Sequence, residues 1–291
     1  MKGVLNMSRI YEKVANKAGR AFKLTIENYN SAQEMVKDLK SRSITNWQFK
    51  DKSKATFGAW DGCRSYDECL NYLSNGYQPT VEKLKDSIKP NVKGTSKRIT
   101  FKNNIVGGAP VVPLALIGVP NCMIDTKIKP IKTKVLDIYY DITCSSSTTS
   151  AEIIEAGQKL LATIMRFEQS GYKFNLYAVQ GYSDENSCDM LTIKVKSSSQ
   201  PLDIKRMSYT LTHTSFFRVL GFDWYSRTPK AKYRTAYGRT ISYYFNYDED
   251  RINDFAKQVF GNNSIYLSAM MMCQMSKSAR DEYINNMINP K

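Results

Sequence analysis

Histidine is almost missing from this chain: 291 residues hold one, His213. The six cysteines, Cys63, Cys69, Cys122, Cys144, Cys188 and Cys273, include no C-x-x-C pair. A structural zinc site of the common kind takes four close Cys or His ligands, which this supply does not offer. A disulfide framework is not expected in a chain long enough to build a core, so reduced thiols are the default. Long apolar runs are also missing. The longest, VVPLALIGVP (111–120), carries two prolines and a glycine and falls far short of a bilayer span. The opening MKGVLNMSRIYEK has no apolar h-region. No secretory signal and no membrane partner are therefore expected, and the expected location is cytoplasmic. The adjacent glycines of IVGGAP (105–110) lack the rest of a phosphate-binding loop or dinucleotide turn. No G-x-S-x-G elbow or Cys/His signature accompanies His213, which is expected to be a core or interface residue.

What is present is a globular composition with one sign of charge in excess. Apolar residues make up 42 % and aromatics 12 %, enough to bury a substantial core. The formal net charge is +15, spread along the chain rather than held in one block. Such a balance suits an acidic partner, nucleic acid among them, or serves solubility alone.

Two textures meet near CMIDTKIKPIKTK (122–134), a basic stretch that reads as a linker or edge strand. Residues 1–130 form a loop-rich α+β region, with a basic, partly helical start and a short strand at AFKLTIE. Ser31 with Glu34, and Ser65 with Glu68, have capping-box spacing and open two helices. PTVEKLKDSI reads as a third helix, and KRITFK and VVPLALIGVP as strands. From residue 131 to 291 the rhythm is clearer. The strand KVLDIYYDI is apolar enough to be buried on both faces. Thr149 and Glu152 then cap a helix running to about Ser170, and YKFNLYAVQ is a strand parallel to the first. DMLTIKVK returns antiparallel, LDIKRMSYTLTHTSFFRVLG is one helix, TISYYFNY a strand and EDRINDFAKQVFG a helix. SIYLSAMMM is a strand, and a final helix starts near Ser276. The expected fold is α/β: a doubly wound, mostly parallel sheet with an antiparallel edge strand.

Ligands of such sheets sit at the carboxyl ends of strands. Asp141 ends the first strand of the second region, and Asp141, Thr143 and Ser145 alternate in the turn that follows. One carboxylate with two hydroxyls is an all-oxygen set, suited to Mg2+ or Mn2+ rather than zinc. The same residues supply an ordinary alternative, a strand end followed by a polar turn that caps the next helix. The D-x-[ST]-x-S turn between strand and helix resembles the metal-ion-dependent adhesion site of von Willebrand factor A-type domains. That resemblance implies a further acid at the end of the fourth strand, where Asp248 is the better match. It also implies capture of a protein partner's carboxylate through the bound ion. The chain departs from the pattern in having Thr143 at the middle position and no identifiable loop threonine. In the first region, Trp60 and Gly62 of FGAWDGCRSYDECLNYLSNGY, with Gly118, Pro120, Cys122 and Met123, resemble an uncharacterised domain of tailed bacteriophages. That likeness implies a phage origin, in host cytoplasm or virion, and carries no known activity with it.

A second candidate is the stretch 224–240. Arg227, Lys230, Lys232, Arg234 and Arg239 alternate there with Tyr233 and Tyr237, and no acid occurs from Trp224 to Tyr247. Cations neutralise phosphates while tyrosine rings stack on unpaired bases, so this stretch suits single-stranded nucleic acid. A solvated cationic loop is the plainer reading. A non-enzymatic binding protein with a metal-bridged protein partner is the expectation. A basic nucleic-acid-binding protein is the alternative, and a metal-dependent phosphoesterase comes last, because two-metal chemistry needs more clustered carboxylates.

Overall fold

The computed structural model describes residues 9–17, 20–45, 52, 55, 57–85, 97–130, 135–183, 187–228 and 239–288. Its centre is a six-stranded mixed sheet with helices on both faces. The strands are β1 (Arg9–Lys17), β2 (Arg20–Tyr29), β6 (Val135–Asp141), β7 (Lys173–Ser183), β8 (Ser187–Lys196) and β9 (Ser264–Ser268), in the order β1-β2-β8-β7-β6-β9. The pairs β2–β8, β6–β7 and β6–β9 are parallel, and β1–β2 and β7–β8 antiparallel. The expected α/β class and mostly parallel sheet are found. The antiparallel β8 is not an edge strand, however: β2 and β1 add on beyond it.

Those two strands come from the first region, whose basic start was expected to be partly helical. The line near residue 130 falls between β5 (Met123–Pro130) and β6, while β1 and β2, on its N-terminal side, belong to the main sheet. Strands β3 (Lys97–Asn104), β4 (Ala109–Pro110) and β5 make a separate antiparallel sheet in the order β3-β5-β4. VVPLALIGVP, expected as a strand, instead forms the short helix α4 (Val112–Leu116), with Pro113 in its first turn where a missing N–H costs nothing.

The period-two alternation of the strands sorts the core into two layers. On one face Ile138, Tyr140, Ile193, Ile265 and Leu267 meet α1 (Ala32–Leu39), α2 (Tyr66–Asn75), α3 (Gln78–Lys85) and α5 (Ser150–Gln169). The same layer takes in α6 (Ile204–Thr210), α7 (Phe222–Ser226), α10 (Ala269–Gln274) and α11 (Lys277–Ile288). On the other face Leu24, Ile26, Tyr139, Met190 and Tyr266 meet α8 (Ile241–Tyr244) and α9 (Glu249–Phe260). The capping residues act as read. Ser31, Ser65 and Thr149 accept from the backbone N–H of Glu34, Glu68 and Glu152.

Two elements differ from expectation. The long helix of 202–221 is broken. After α6 the chain turns through Thr212–Ser215 and resumes as a π-helical turn, Phe216–Gly221, that runs into α7. Side-chain bonds to the local backbone compete with helix here: the Thr212 hydroxyl donates to the Ser208 carbonyl, and the Ser215 amide to His213 Nδ1 at 3.3 Å. Gly157 of α5 lets the break approach closely, since a Cβ there would lie 2.4 Å from the Leu211 carbonyl oxygen. The stretch TISYYFNY is not a strand. Thr240 caps α8, and Asn246 and Tyr247 take left-handed backbone angles, φ 54° and 58°, which end it.

Candidate functional site

The polar turn after β6 is built by three tethers. Asp141 is fully buried on the face shared with Tyr139 and Tyr266, so it points sideways into the core and not out of the strand end. Its Oδ1 accepts from the Thr143 amide at 2.9 Å and the Thr143 hydroxyl at 2.5 Å, and its Oδ2 from the Tyr266 hydroxyl at 2.9 Å. The Thr143 hydroxyl oxygen also accepts from the Gly181 amide at 3.1 Å, which knits the turn to β7. Ser145 turns away, its hydroxyl 3.0 Å from that of Ser147.

Asp248 is placed by a different element. It caps α9, accepting from the Arg251 amide at 3.1 Å, and its carboxylate pairs with the Arg251 guanidinium at 3.2 Å. The residue that pairs with Asp141 across the parallel strand β9 is Ser268, so no second acid stands there. Asp141 and Thr143 are thus brought together, but bound to each other, while Asp248 is committed to a helix end. These residues do not fit a divalent ion. Among the described residues no cluster of three or more His, Cys, Asp or Glu could hold one.

The rim of the sheet still holds a cavity, of about 490 Å3. Thr143, Cys144, Ser145 and Ser146 form one wall, and Met270, just after β9, stands beside them. Tyr182 from the end of β7, with Thr240, Tyr243 and Tyr247 around α8, also lines the cavity. Trp60, Phe222, Lys52 and Arg239 complete it. Among the described residues, two cations, five aromatic rings and several hydroxyls line the space, and no carboxylate does. Arg239 is exposed, its guanidinium 4.6 Å from the Tyr243 ring centroid. Trp60 is 41 % exposed, and its indole N–H donates to the Ser146 carbonyl at 2.9 Å.

Behind this wall lies Arg218, fully buried in the π-helical turn. It donates to the Trp60 carbonyl at 2.6 Å, the Thr148 carbonyl at 2.6 Å and the Ser145 carbonyl at 3.2 Å, and packs 4.2 Å from the Trp60 ring centroid. One guanidinium fork therefore joins the turn after β6 to the turn before α2. Burial pulls its pKa down from the ordinary arginine value. Arg218 is not among the residues expected at a site, and Trp60 is expected only as part of the W-x-G resemblance. The signal available for Arg218 was a lone cation inside the apolar run FFRVLG. The hydrogen bond of Cys144 with Cys273, and its burial, hold the thiol above the ordinary range.

Of the basic stretch, Arg227 is occupied. Its guanidinium bonds Asp223 at 2.8 Å and the Arg42 carbonyl, and Trp224, Tyr225 and Ser226 are buried in α7. Lys230, Lys232, Tyr233, Arg234 and Tyr237 lie outside the described residues. Of the two described members of the set, Arg227 and Arg239, Arg239 lines the cavity. His213 is buried among Tyr72, Tyr77 and Tyr209, with Nδ1 2.9 Å from the Ser215 hydroxyl. Cys63 and Cys69, six residues apart, place their sulfurs 3.2 Å apart nearby, a pairing that no short motif announces.

A family model described as a domain of unknown function (DUF7192) matches residues 9–283. The chain belongs to this family. The matched span takes in every residue lining the cavity of this DUF7192 protein, from Lys52 to Met270. No curated protein and no solved structure matches the chain.

Proposed function

We propose that this DUF7192 protein is a non-enzymatic binder of single-stranded nucleic acid, and that the strand-end cavity takes one nucleotide of the strand. The observation that carries this reading is the lining: cations and aromatic rings, with no carboxylate among the described residues, at the carboxyl ends of the parallel strands β6, β7 and β9. A phosphate finds Arg239 and Lys52 there, and an unpaired base finds Trp60, Tyr243 and Tyr247. Position agrees with lining, since α/β sheets hold ligands at that edge. The net charge of +15 adds long-range attraction for a polyanion. From Arg239 the chain reaches back to Lys230, Lys232, Tyr233, Arg234 and Tyr237, whose types suit further phosphates and bases.

The function first expected from the sequence has less support. In it the chain is a von Willebrand A-like adhesion module that grips a protein's carboxylate through Mg2+ or Mn2+ on Asp141, Thr143, Ser145 and Asp248. The run β8-β7-β6-β9, with its antiparallel β7–β8 pair, is compatible with such a fold. Its ligand set is spent on Tyr266, Gly181 and Arg251.

The test is fluorescence anisotropy of a labelled oligothymidylate across a salt series. Binding is expected to weaken steeply with salt. Arg239→Ala should flatten the log–log slope by about 0.7, one phosphate contact on a single strand. Trp60→Ala should cost about 1–3 kcal/mol, the worth of one stacked base. Absence of binding at low salt, or equal affinity of wild type and both variants, rejects the reading.

A further inference from the structure

Along the small sheet the charged residues all fall at one end, interleaved there with Ile99, Phe101 and Ile128, while the other end has none. By register, Lys97 pairs with Pro130, Arg98 with Lys129, Thr100 with Lys127 and Lys102 with Asp125. Beyond that point, from Asn103 to Ile124, no charged residue occurs. This tip exposes Ile105, Val106, Val112, Leu116 and Ile117 by 58 to 81 %, five of the eight large apolar side chains most exposed among the described residues. Scattered exposed aliphatics need no explanation, but a cluster this dense does.

The tip is also built. Gly108 donates to the Ile124 carbonyl at 2.9 Å, Val111 to Cys122 at 2.6 Å and Val119 to Leu114 at 3.0 Å. Gly107 lies so close to Ile124 that a Cβ would meet its carbonyl oxygen at 2.3 Å, and Gly118 takes φ +72°. These backbone groups thus find partners within the tip, which lowers the cost of an apolar medium. The helix at its centre, α4, buries no residue, so its apolar side chains are not confined to one stripe. A protein groove covers one stripe of a helix, whereas the acyl boundary of a lipid leaflet surrounds it. Lys102, exposed beside the tip, then stands at headgroup level, where Lys favours anionic lipid.

We propose that this hairpin is a lipid-surface anchor, its tip inserted into one leaflet of an anionic membrane. No helix among the described residues is long and apolar enough to cross a membrane, and a tip that dips into one leaflet needs none. The test is co-sedimentation with vesicles of equimolar phosphatidylcholine and phosphatidylglycerol. The exposed double variant Leu116→Glu/Ile117→Glu should keep the wild-type circular dichroism and lose at least about tenfold in vesicle affinity. A Leu116→Trp variant should be quenched by brominated lipid beyond the wild-type level. Arg239→Ala, aimed at the cavity, should bind vesicles as wild type does, so the two proposals fail separately. Three results overturn the anchor: no binding to these vesicles, binding without added quenching of the Leu116→Trp variant, which is adsorption by charge alone, or a wild-type dimer in solution that the double variant dissociates.

Discussion

Asp141 and His213 are two buried titratable groups that pull stability in opposite directions with pH. Burial pushes the Asp141 carboxyl up to about 6 from its ordinary 3.8, against hydrogen bonds from Thr143 and Tyr266. Burial pushes the His213 imidazole down to about 4 from 6.5, with the nearby Glu68 charge opposing. Between pH 4 and 6 the folded chain holds more proton at Asp141 than the unfolded chain does, so that group's contribution falls as pH rises. At His213 the folded chain holds less proton between pH 4 and 6.5, so its contribution rises over nearly the same window. Each is worth on the order of 3 kcal/mol. Urea midpoints measured from pH 4 to 7 should therefore climb more steeply with pH in Asp141→Asn than in wild type, and less steeply in His213→Gln. Slopes that shift the same way in both variants contradict these assignments. The sequence showed Asp141 at a strand end and left its direction open. Strand parity turned the side chain onto the face of Tyr139, and only the register with β9 reveals Tyr266 as its partner.

Elements were legible where the chain carries its own start and stop signals. Thr149 with Glu152 is a complete capping box, each side chain bonding the other's backbone. Thr149→Ala should cost about 1 kcal/mol, read as a melting temperature lower by roughly 2 °C. No change would mean that α5 is held by packing alone. Elements were misread where a distant partner decides. TISYYFNY has strand propensity, yet Ile241 packs against Gly181, where a Cβ would meet its Cδ1 at 2.3 Å, and the segment coils into α8. The long helix of 202–221 breaks because Gly157 admits the Leu211–Thr212 backbone, a contact no local pattern encodes. The candidate cavity was half legible: Arg239 and the Thr143–Ser146 wall stood out in the sequence. Arg218 did not, and Trp60 stood out only in a resemblance without a role, because the contacts of both join turns far apart in the chain.

At the scale of the whole molecule, the first strands complete a sheet that the later residues cannot finish. Tyr29 faces Ile193 across the parallel β2–β8 pair, and Met35, Cys69 and Leu84 share one core layer with Ile164 and Tyr209. A fragment of residues 131–291 alone should therefore show no cooperative thermal transition, while the full chain should show one by calorimetry. A sharp transition in the fragment would establish an independent unit there.

The β2–β8 pairing carries a consequence for biosynthesis. The 164 positions from Tyr29 to Ile193 take about 8–33 s to translate at the usual elongation rates. During that interval the nascent β1–β2 hairpin has one ladder of hydrogen bonds and an open flank bearing Leu24 and Ile26. An emerging chain of this kind invites mispairing with neighbours on the same polysome, so recovery of soluble material should depend more on chaperone supply and growth temperature than the stability of the finished protein suggests.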